Sequence, residues 1–245
     1  MGVVDTYWDL KRLYWCNLRL GSIEMKNKDA QYFLTKLPLK LLVLLILFLA
    51  VGYLCGVIVH ELFGEQDDVL DKTTSGFIAR NIENDHLTSI MRTITFFASA
   101  KFLTAAYILL VLWYWLIKRN NLFAIHVAAI AITSFLLTAL FKNIFQRVRP
   151  LDPLIEPLKN YSYPSGHASL GFIFYGLLAY LISGSNIKAV YKYTIASLLI
   201  LFSLLVGFSR IYLRIHHTSD VIAGFCQGLV WLSISIWFLE KRSNQ

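Results

Sequence analysis

Six stretches of this chain, residues 41–59, 102–117, 122–141, 168–187, 193–208 and 221–239, run almost without interruption through apolar side chains. At 1.5 Å rise per residue, each approaches the roughly 20 helical residues that cross a hydrocarbon core about 30 Å thick. Soluble domains place apolar residues at helical or strand spacing instead of in blocks, so the runs argue against a soluble fold. Lipid offers the backbone no hydrogen-bond partner, which leaves helices or a closed barrel, and no run of alternating residues suggests barrel strands. The expected fold is all-α: a multi-pass bundle of six transmembrane helices over residues 41–239. A segment 1–40 precedes it and a tail 240–245 comes after. The second run is short, and the reading extends it backward through 93–100, with Lys101 in a protein groove or snorkelling to the surface.

No cleavable secretion signal is evident, because the first apolar run begins about forty residues in. Before it, Val3, Tyr7, Leu10, Tyr14 and Leu18 share one helical face and Asp5, Asp9, Arg12 and Arg19 another. That pattern suits an interfacial amphipathic helix, with a disordered basic tail as the alternative. Cys16, Cys55 and Cys226 are scattered and odd in number, which fits packing residues better than a disulfide framework or a metal site.

The net charge of +8 would suit nucleic acid in a soluble protein, but in a membrane chain the position of the charges matters more. With six spans, the N-terminus, the connections 118–121 and 184–192 and the C-terminus share a side carrying thirteen Lys and Arg against five Asp and Glu. The remaining cations and acids balance. Both termini are therefore expected in the cytoplasm of a cell-membrane protein. Connections 60–95, 142–167 and 209–220 then face outward. Ile78, Ile82, Leu87 and Ile90 recur at helical spacing within the first of these, as in a helical cap over the other two.

Those two loops gather Lys, Arg, Ser and His at the edges of apolar helices, where such residues are costly without a purpose. Lys142 and Arg149 are seven apart and share a helical face if the helix runs nearly to Pro150. A point charge beside a planar fork suits a phosphate, although cations at a helix end also serve as interfacial anchors. In Tyr163-Pro164-Ser165-Gly166-His167, Gly166 allows close backbone approach, Ser165 offers a hydroxyl and the start of the next helix favours an anion. A serine-capped turn with an incidental histidine is the plain alternative. His216 and Asp220 stand i, i+4, so the carboxylate can hold one imidazole nitrogen and leave the other free as a nucleophile, while also favouring the helix dipole.

Taken together, Lys142-x6-Arg149-Pro150, Pro164-Ser165-Gly166-His167 and Ser209-Arg210-x5-His216-x3-Asp220 resemble the three-part signature of the type 2 phosphatidic acid phosphatase superfamily, whose membrane members are six-helix lipid phosphatases. The resemblance implies that His216 attacks phosphorus, Asp220 orients its ring and His167 handles the leaving-group proton. Lys142, Arg149, Arg210, Ser165 and the Gly166 amide would bind the phosphate. It implies no cofactor or metal, since fixed cations supply the charge stabilisation that phosphoryl transfer asks for. A zinc site of His167, His216 and His217 is the best metal alternative, disfavoured by the surrounding cations. Arg147 and Arg214 read as headgroup anchors, His217 as a neighbour of the nucleophile, and His60, His86 and His126 carry no assigned chemistry.

The partners expected are the bilayer and a lipid phosphate or diphosphate: a prenyl diphosphate such as undecaprenyl diphosphate, phosphatidylglycerol phosphate, phosphatidic acid or a phosphorylated lipid A. A phosphotransferase, or a binding or transport protein without turnover, would share many of these residues. Nucleic acid is not expected, and the sequence is silent on oligomeric state.

Overall fold

The structure, a computed structural model, describes residues 69–156, 158 and 160–243. The N-terminal segment, its amphipathic pattern and the first apolar run therefore lie outside the described residues. The described residues are all-helical: α1 (Val69–Asn81), α2 (Asp85–Phe96), α3 (Ala100–Leu112, continued by a π-helical turn Trp113–Ile117), α4 (Asn121–Phe145), α5 (Gly166–Ser183), α6 (Ala189–Tyr212) and α7 (Thr218–Ser243). Five of these, α3 with its π turn and α4 to α7, are long and apolar enough to cross a membrane. On their outer faces Ile108, Leu109, Ile132, Leu136, Leu201 and Trp237 are exposed, a placement suited to lipid and unfavourable in water.

The backward extension of the second run is corrected. α2 ends at Phe96, and α3 starts afresh at Ala100 with Ser99 as its N-cap, the serine hydroxyl accepting from the Phe102 amide. A serine oxygen that satisfies an orphan N–H lets a new helix begin where apolarity alone suggests continuity. Lys101 is exposed in that first turn.

The other helices overrun their apolar stretches. α4 carries Lys142, α5 begins at Gly166, α6 reaches Arg210 and α7 takes in Asp220. Helical hydrogen bonds continue past the last apolar residue, so the polar motif residues sit on the ends of spans as much as in loops.

α5 is the most buried span and packs mainly against α6 and α7. Its Leu170, Ile173, Phe174 and Leu177 meet Leu103 and Tyr107 of α3, Val127 of α4, Val206 of α6 and Leu232 of α7 in one core. Gly224 and Gly228, one turn apart on α7, bring that helix onto the backbone of α5. A Cβ at Gly224 would lie 2.7 Å from the Ser165 carbonyl, and one at Gly228 would lie 3.1 Å from that of Ser169. Small residues permit this approach in a membrane bundle, where packing rather than water exclusion drives association.

α1 and α2 close over the 212–216 segment. Ile78, Ile82, Leu87 and Met91 pack on Tyr212, Leu213 and Ile215, and the Tyr212 hydroxyl sits 3.1 Å from both the Asn84 amide and carbonyl. The helical spacing of Ile78, Ile82 and Leu87 thus corresponds to a cap, whereas Ile90 is exposed.

Candidate active site

Lys142 and Arg149 converge without sharing a helix. α4 stops at Phe145, where Gln146 adopts a left-handed conformation (φ 48°) and its amide still bonds the Lys142 carbonyl. The chain then runs irregularly to Pro150, so the expected continuous helical face is replaced by a turn. What aligns the two cations is the segment 160–162. Lys142 Nζ donates to the carbonyls of Tyr161 (2.7 Å) and Ser162 (3.1 Å). Arg149 donates from Nε to the Asn160 carbonyl (2.7 Å) and from Nη2 to Asn160 Oδ1 (2.7 Å) and the Tyr161 carbonyl (3.2 Å). Its Nη1 donates to the Ile215 carbonyl (2.7 Å) and lies 3.2 Å from His216 Nε2. A guanidinium has five N–H groups. Four are committed to fixed oxygens, and the fifth points at the histidine ring.

Arg210 is fully buried, with Nη1 on Thr95 Oγ1 of α2 (2.7 Å) and no partner for Nε among the described residues. Its charge and that of Arg149 both act on Lys142. Among the described residues, none of these three cations has a carboxylate within ion-pair distance, the nearby acids being taken by Arg147, Arg214 and the histidines. Three like charges gathered here, none with a carboxylate in direct contact among the described residues although the field of Asp220 reaches Lys142 and Arg149, favour an anion between them.

The turn Tyr163-Pro164-Ser165, with a cis Tyr163–Pro164 bond, delivers the α5 N-terminus to this cradle. Ser165 N donates to the Asp220 carbonyl (2.9 Å), but its hydroxyl makes no cap bond and is buried without a partner among the described residues. The capping alternative is therefore not what the structure shows. Gly166 has no positive φ, and a Cβ there would meet only Thr138 and Lys142 side chains at ordinary distances of 3.5 and 3.9 Å. Neither backbone nor packing demands glycine at that position. His167 stands on the first turn of α5, within reach of the fields of Arg210, His216, Arg149 and Lys142.

His216 lies just before α7, not in a helical turn, yet it still meets Asp220. Its Nδ1 is 3.4 Å from Asp220 Oδ2 and 3.2 Å from Ser162 Oγ. Asp220 Oδ2 also accepts from the Ser162 hydroxyl and the His217 amide (2.9 Å). With Nδ1 turned to the carboxylate, the Nε2 lone pair faces Arg149 and the cradle. Burial pushes the His216 imidazole down to about 3, against the pull of Asp220 and with help from Arg149 and Arg210. The ring is thus neutral through the physiological range, a correction to the ordinary value near 6.5 that sequence alone would assign.

Two residues read as headgroup anchors are engaged inside. Arg147 is mostly buried: Nη1 donates to Asp220 Oδ1 (2.7 Å) and Ser219 Oγ (2.7 Å), and Nη2 to Asp71 Oδ2 (2.9 Å). Arg214, with a left-handed φ of 54°, is ion-paired with Glu83 of the cap. Sequence reasoning misses both because their acidic partners lie on elements distant in sequence. Ser162 and Asp71 carry no signal along the chain either. His217 remains a neighbour: its ring turns to Asp71 (3.8 Å), although its amide helps hold Asp220. His86 is exposed, and the His126 ring bonds its own helix at Leu122. A cavity of about 550 Å³ opens beside Arg149 and His216, lined also by Lys72, Arg214, His217 and Thr218.

Residues 122–244, half of the chain, match the PAP2 superfamily. Phosphatidylglycerophosphatase B of Bacillus subtilis is 33% identical over 111 residues, covering 44% of this chain and 54% of that protein. Dolichyldiphosphatase of Saccharomyces cerevisiae is 31% identical over 149 residues, covering 52% and 62%. The chain thus spans about half to three fifths of the length of these curated relatives. The crystal structure of the transmembrane PAP2 type phosphatidylglycerolphosphate phosphatase from Bacillus subtilis superposes with a TM-score of 0.68 at 25% identity, covering 80% of this chain and 96% of that one. Aquifex aeolicus LpxE superposes at 0.56 and 22% identity, over 71% and 98%, a likeness of fold. The apolar helices agree with a multi-pass membrane protein, and by the extent of the family match this chain belongs to the PAP2 superfamily.

Proposed function

We propose that this protein is a lipid phosphatase that removes a phosphoryl group from a membrane-embedded phosphomonoester or diphosphate through a phosphohistidine at His216. The observation that carries the reading is the cradle of Lys142, Arg149 and Arg210, without a paired carboxylate among the described residues, facing the Nε2 lone pair of a buried neutral histidine. In the first step Nε2 attacks phosphorus, the phosphorus–oxygen bond to the lipid breaks, and His167, which takes up a proton when the anionic phosphate enters the cradle, gives that proton to the departing oxygen. His167 then takes a proton from water as that water attacks the phosphohistidine, and inorganic phosphate leaves.

Each remaining residue has a place in this scheme. Asp220 holds Nδ1–H, and so keeps the lone pair on Nε2, as the aspartate of a catalytic triad does. Arg149 turns its one uncommitted N–H from Nε2 to a phosphoryl oxygen. The unpartnered Ser165 hydroxyl and Arg210 Nε supply further donors, and the space left by Gly166 admits an oxygen to the helix N-terminus. The same cations do the work of a metal ion, so the reaction requires none.

With the run 41–59 added to the five described spans the helices number six, both termini are cytoplasmic and the site faces outward, as the thirteen cations on the terminal side suggest. The substrates favoured are phosphatidylglycerol phosphate and prenyl diphosphates such as undecaprenyl diphosphate, in keeping with the names of the two curated relatives. Phosphatidic acid belongs in the same test.

The test is phosphate release by purified protein in detergent from a panel of these lipids, with and without EDTA. Wild type turns over at least one, indifferent to EDTA, and His216→Ala turns over none while remaining folded. Full activity in that variant would remove the nucleophile assignment, and free phosphate measured against phosphorylated acceptor separates hydrolysis from transfer.

A further inference from the structure

We propose that Arg147, clamped by Asp71 of the cap helix α1, is a positioning residue that sets the orientation and charge of Asp220 and, through it, of His216. The inference rests on the phosphohistidine reading of this site and deepens it. Its structural basis is a chain of buried charges. Asp71 is 6% exposed, Arg147 15% and Asp220 0%, and the guanidinium stands between the two carboxylates.

The geometry is specific at both terminal nitrogens of Arg147. Arg147 Nη1 is shared between Asp220 Oδ1 and Ser219 Oγ, each at 2.7 Å, while Nη2 reaches Asp71 Oδ2 at 2.9 Å. Asp71 in turn accepts from Ser219, on Oδ1 from its amide (3.0 Å) and on Oδ2 from its hydroxyl (2.7 Å). A planar fork bound at both ends cannot swing. It therefore claims Oδ1 of Asp220 and leaves Oδ2 for the ring of His216, the Ser162 hydroxyl and the His217 amide.

The second carboxylate matters as much as the fork. Arg147 paired with Asp220 alone would cancel the charge that Asp220 must lend to an imidazole becoming cationic in the transition state. Because the guanidinium is shared with Asp71, Asp220 does not have this cation to itself and is held in place without being fully neutralised by it. Asp71 lies on α1, outside the residues 122–244 that match the superfamily. The cap thus contributes the second carboxylate of the clamp, while Arg147, Ser219 and Asp220 come from the signature stretches, and this explains why an acidic residue of the cap is buried.

The experiment compares Arg147→Met, Arg147→Lys and Asp71→Asn by steady-state phosphate release from the best lipid phosphate, with unfolding temperature in parallel. Arg147→Met lowers kcat on the order of 100-fold, with KM changed less than about twofold because the cradle is untouched. Lysine supplies one charge but cannot span both carboxylates, so it rescues only part of kcat. Asp71→Asn, nearly isosteric and safe for folding, lowers kcat in the same way by less, and adding it to Arg147→Met costs little more, as expected of one unit.

In parallel, ¹⁵N-histidine spectra, with His216→Asn to identify the signal, show one Nδ1–H tautomer for His216 in wild type and a mixture in Arg147→Met. Loss of stability with kcat and the His216 signal unchanged would overturn the proposal and leave Arg147 a structural ion pair. If wild type releases no phosphate from any lipid, the functional reading fails, and the spectra still decide whether Arg147 positions His216.

Discussion

Asp220→Asn exchanges a single oxygen for an NH2 group, and through it the tautomer of His216. Four groups donate to this carboxylate or sit against it: Arg147 at Oδ1, and the Ser162 hydroxyl, the His217 amide and His216 Nδ1 at Oδ2. An amide must put its NH2 on one side. Placed at Oδ1 it would face Arg147 donor to donor and forfeit a charge-assisted bond of about 1.5–3 kcal/mol. Placed at Oδ2 it confronts only the neutral His217 amide, and a Ser162 hydroxyl that can turn to accept. The second placement wins, and the amide then donates to Nδ1. The imidazole proton moves to Nε2, the atom that carries the lone pair in the proposed mechanism. A wrong-tautomer defect of this kind costs about 10⁴ in kcat, or roughly 5 to 6 kcal/mol of barrier. The assay is initial phosphate release from a saturating lipid phosphate, with unfolding temperature and vanadate competition showing that fold and cradle persist. A folded variant retaining more than a tenth of wild-type kcat, or one altered only in KM, would refute the tautomer argument.

Burial of His216 carries its own prediction. Its pKa falls from 6.5 unfolded to about 3 folded, so between those values the unfolded chain binds a proton that the native ring refuses. Stability from this group is complete above about pH 6.5 and is lost as pH falls toward 3; a ¹⁵N titration midpoint for His216 near 6.5 in the folded protein would contradict it. Gly224→Ala places a methyl 2.7 Å from the Ser165 backbone carbonyl, which no rotamer can relieve. The variant loses about 1–3 kcal/mol and, because α7 shifts from α5 between Asp220 and His167, most of its turnover, read as a lowered unfolding temperature together with lowered kcat; unchanged values for both would show that the helices have slack.

The three signature stretches are legible because polar residues at the edge of an apolar helix are costly, and a chain that keeps Lys142, Ser165, His167, Arg210, His216 and Asp220 there invites a chemical reason. The cap is half legible, since Ile78, Ile82 and Leu87 betray an amphipathic face while Ile90 does not take part in it. Helix ends escape the sequence wherever capping or helical bonding outlasts apolarity, at Ser99 and through Lys142, Arg210 and Asp220. Arg147 escapes it because an arginine beside a membrane looks the same whether it meets a headgroup or a buried carboxylate.

The sequence by itself determined that this chain is helical, crosses a membrane and carries three stretches that resemble the superfamily's signature, because these depend on local composition and short spacing. Tertiary structure decided the rest: that 160–162 aligns Lys142 with Arg149, that Ser162 and Arg147 hold Asp220, and that Asp71 reaches Ser219 across 148 residues. Such contacts are formed by elements that meet only after the helices pack, and no periodicity along the chain records them.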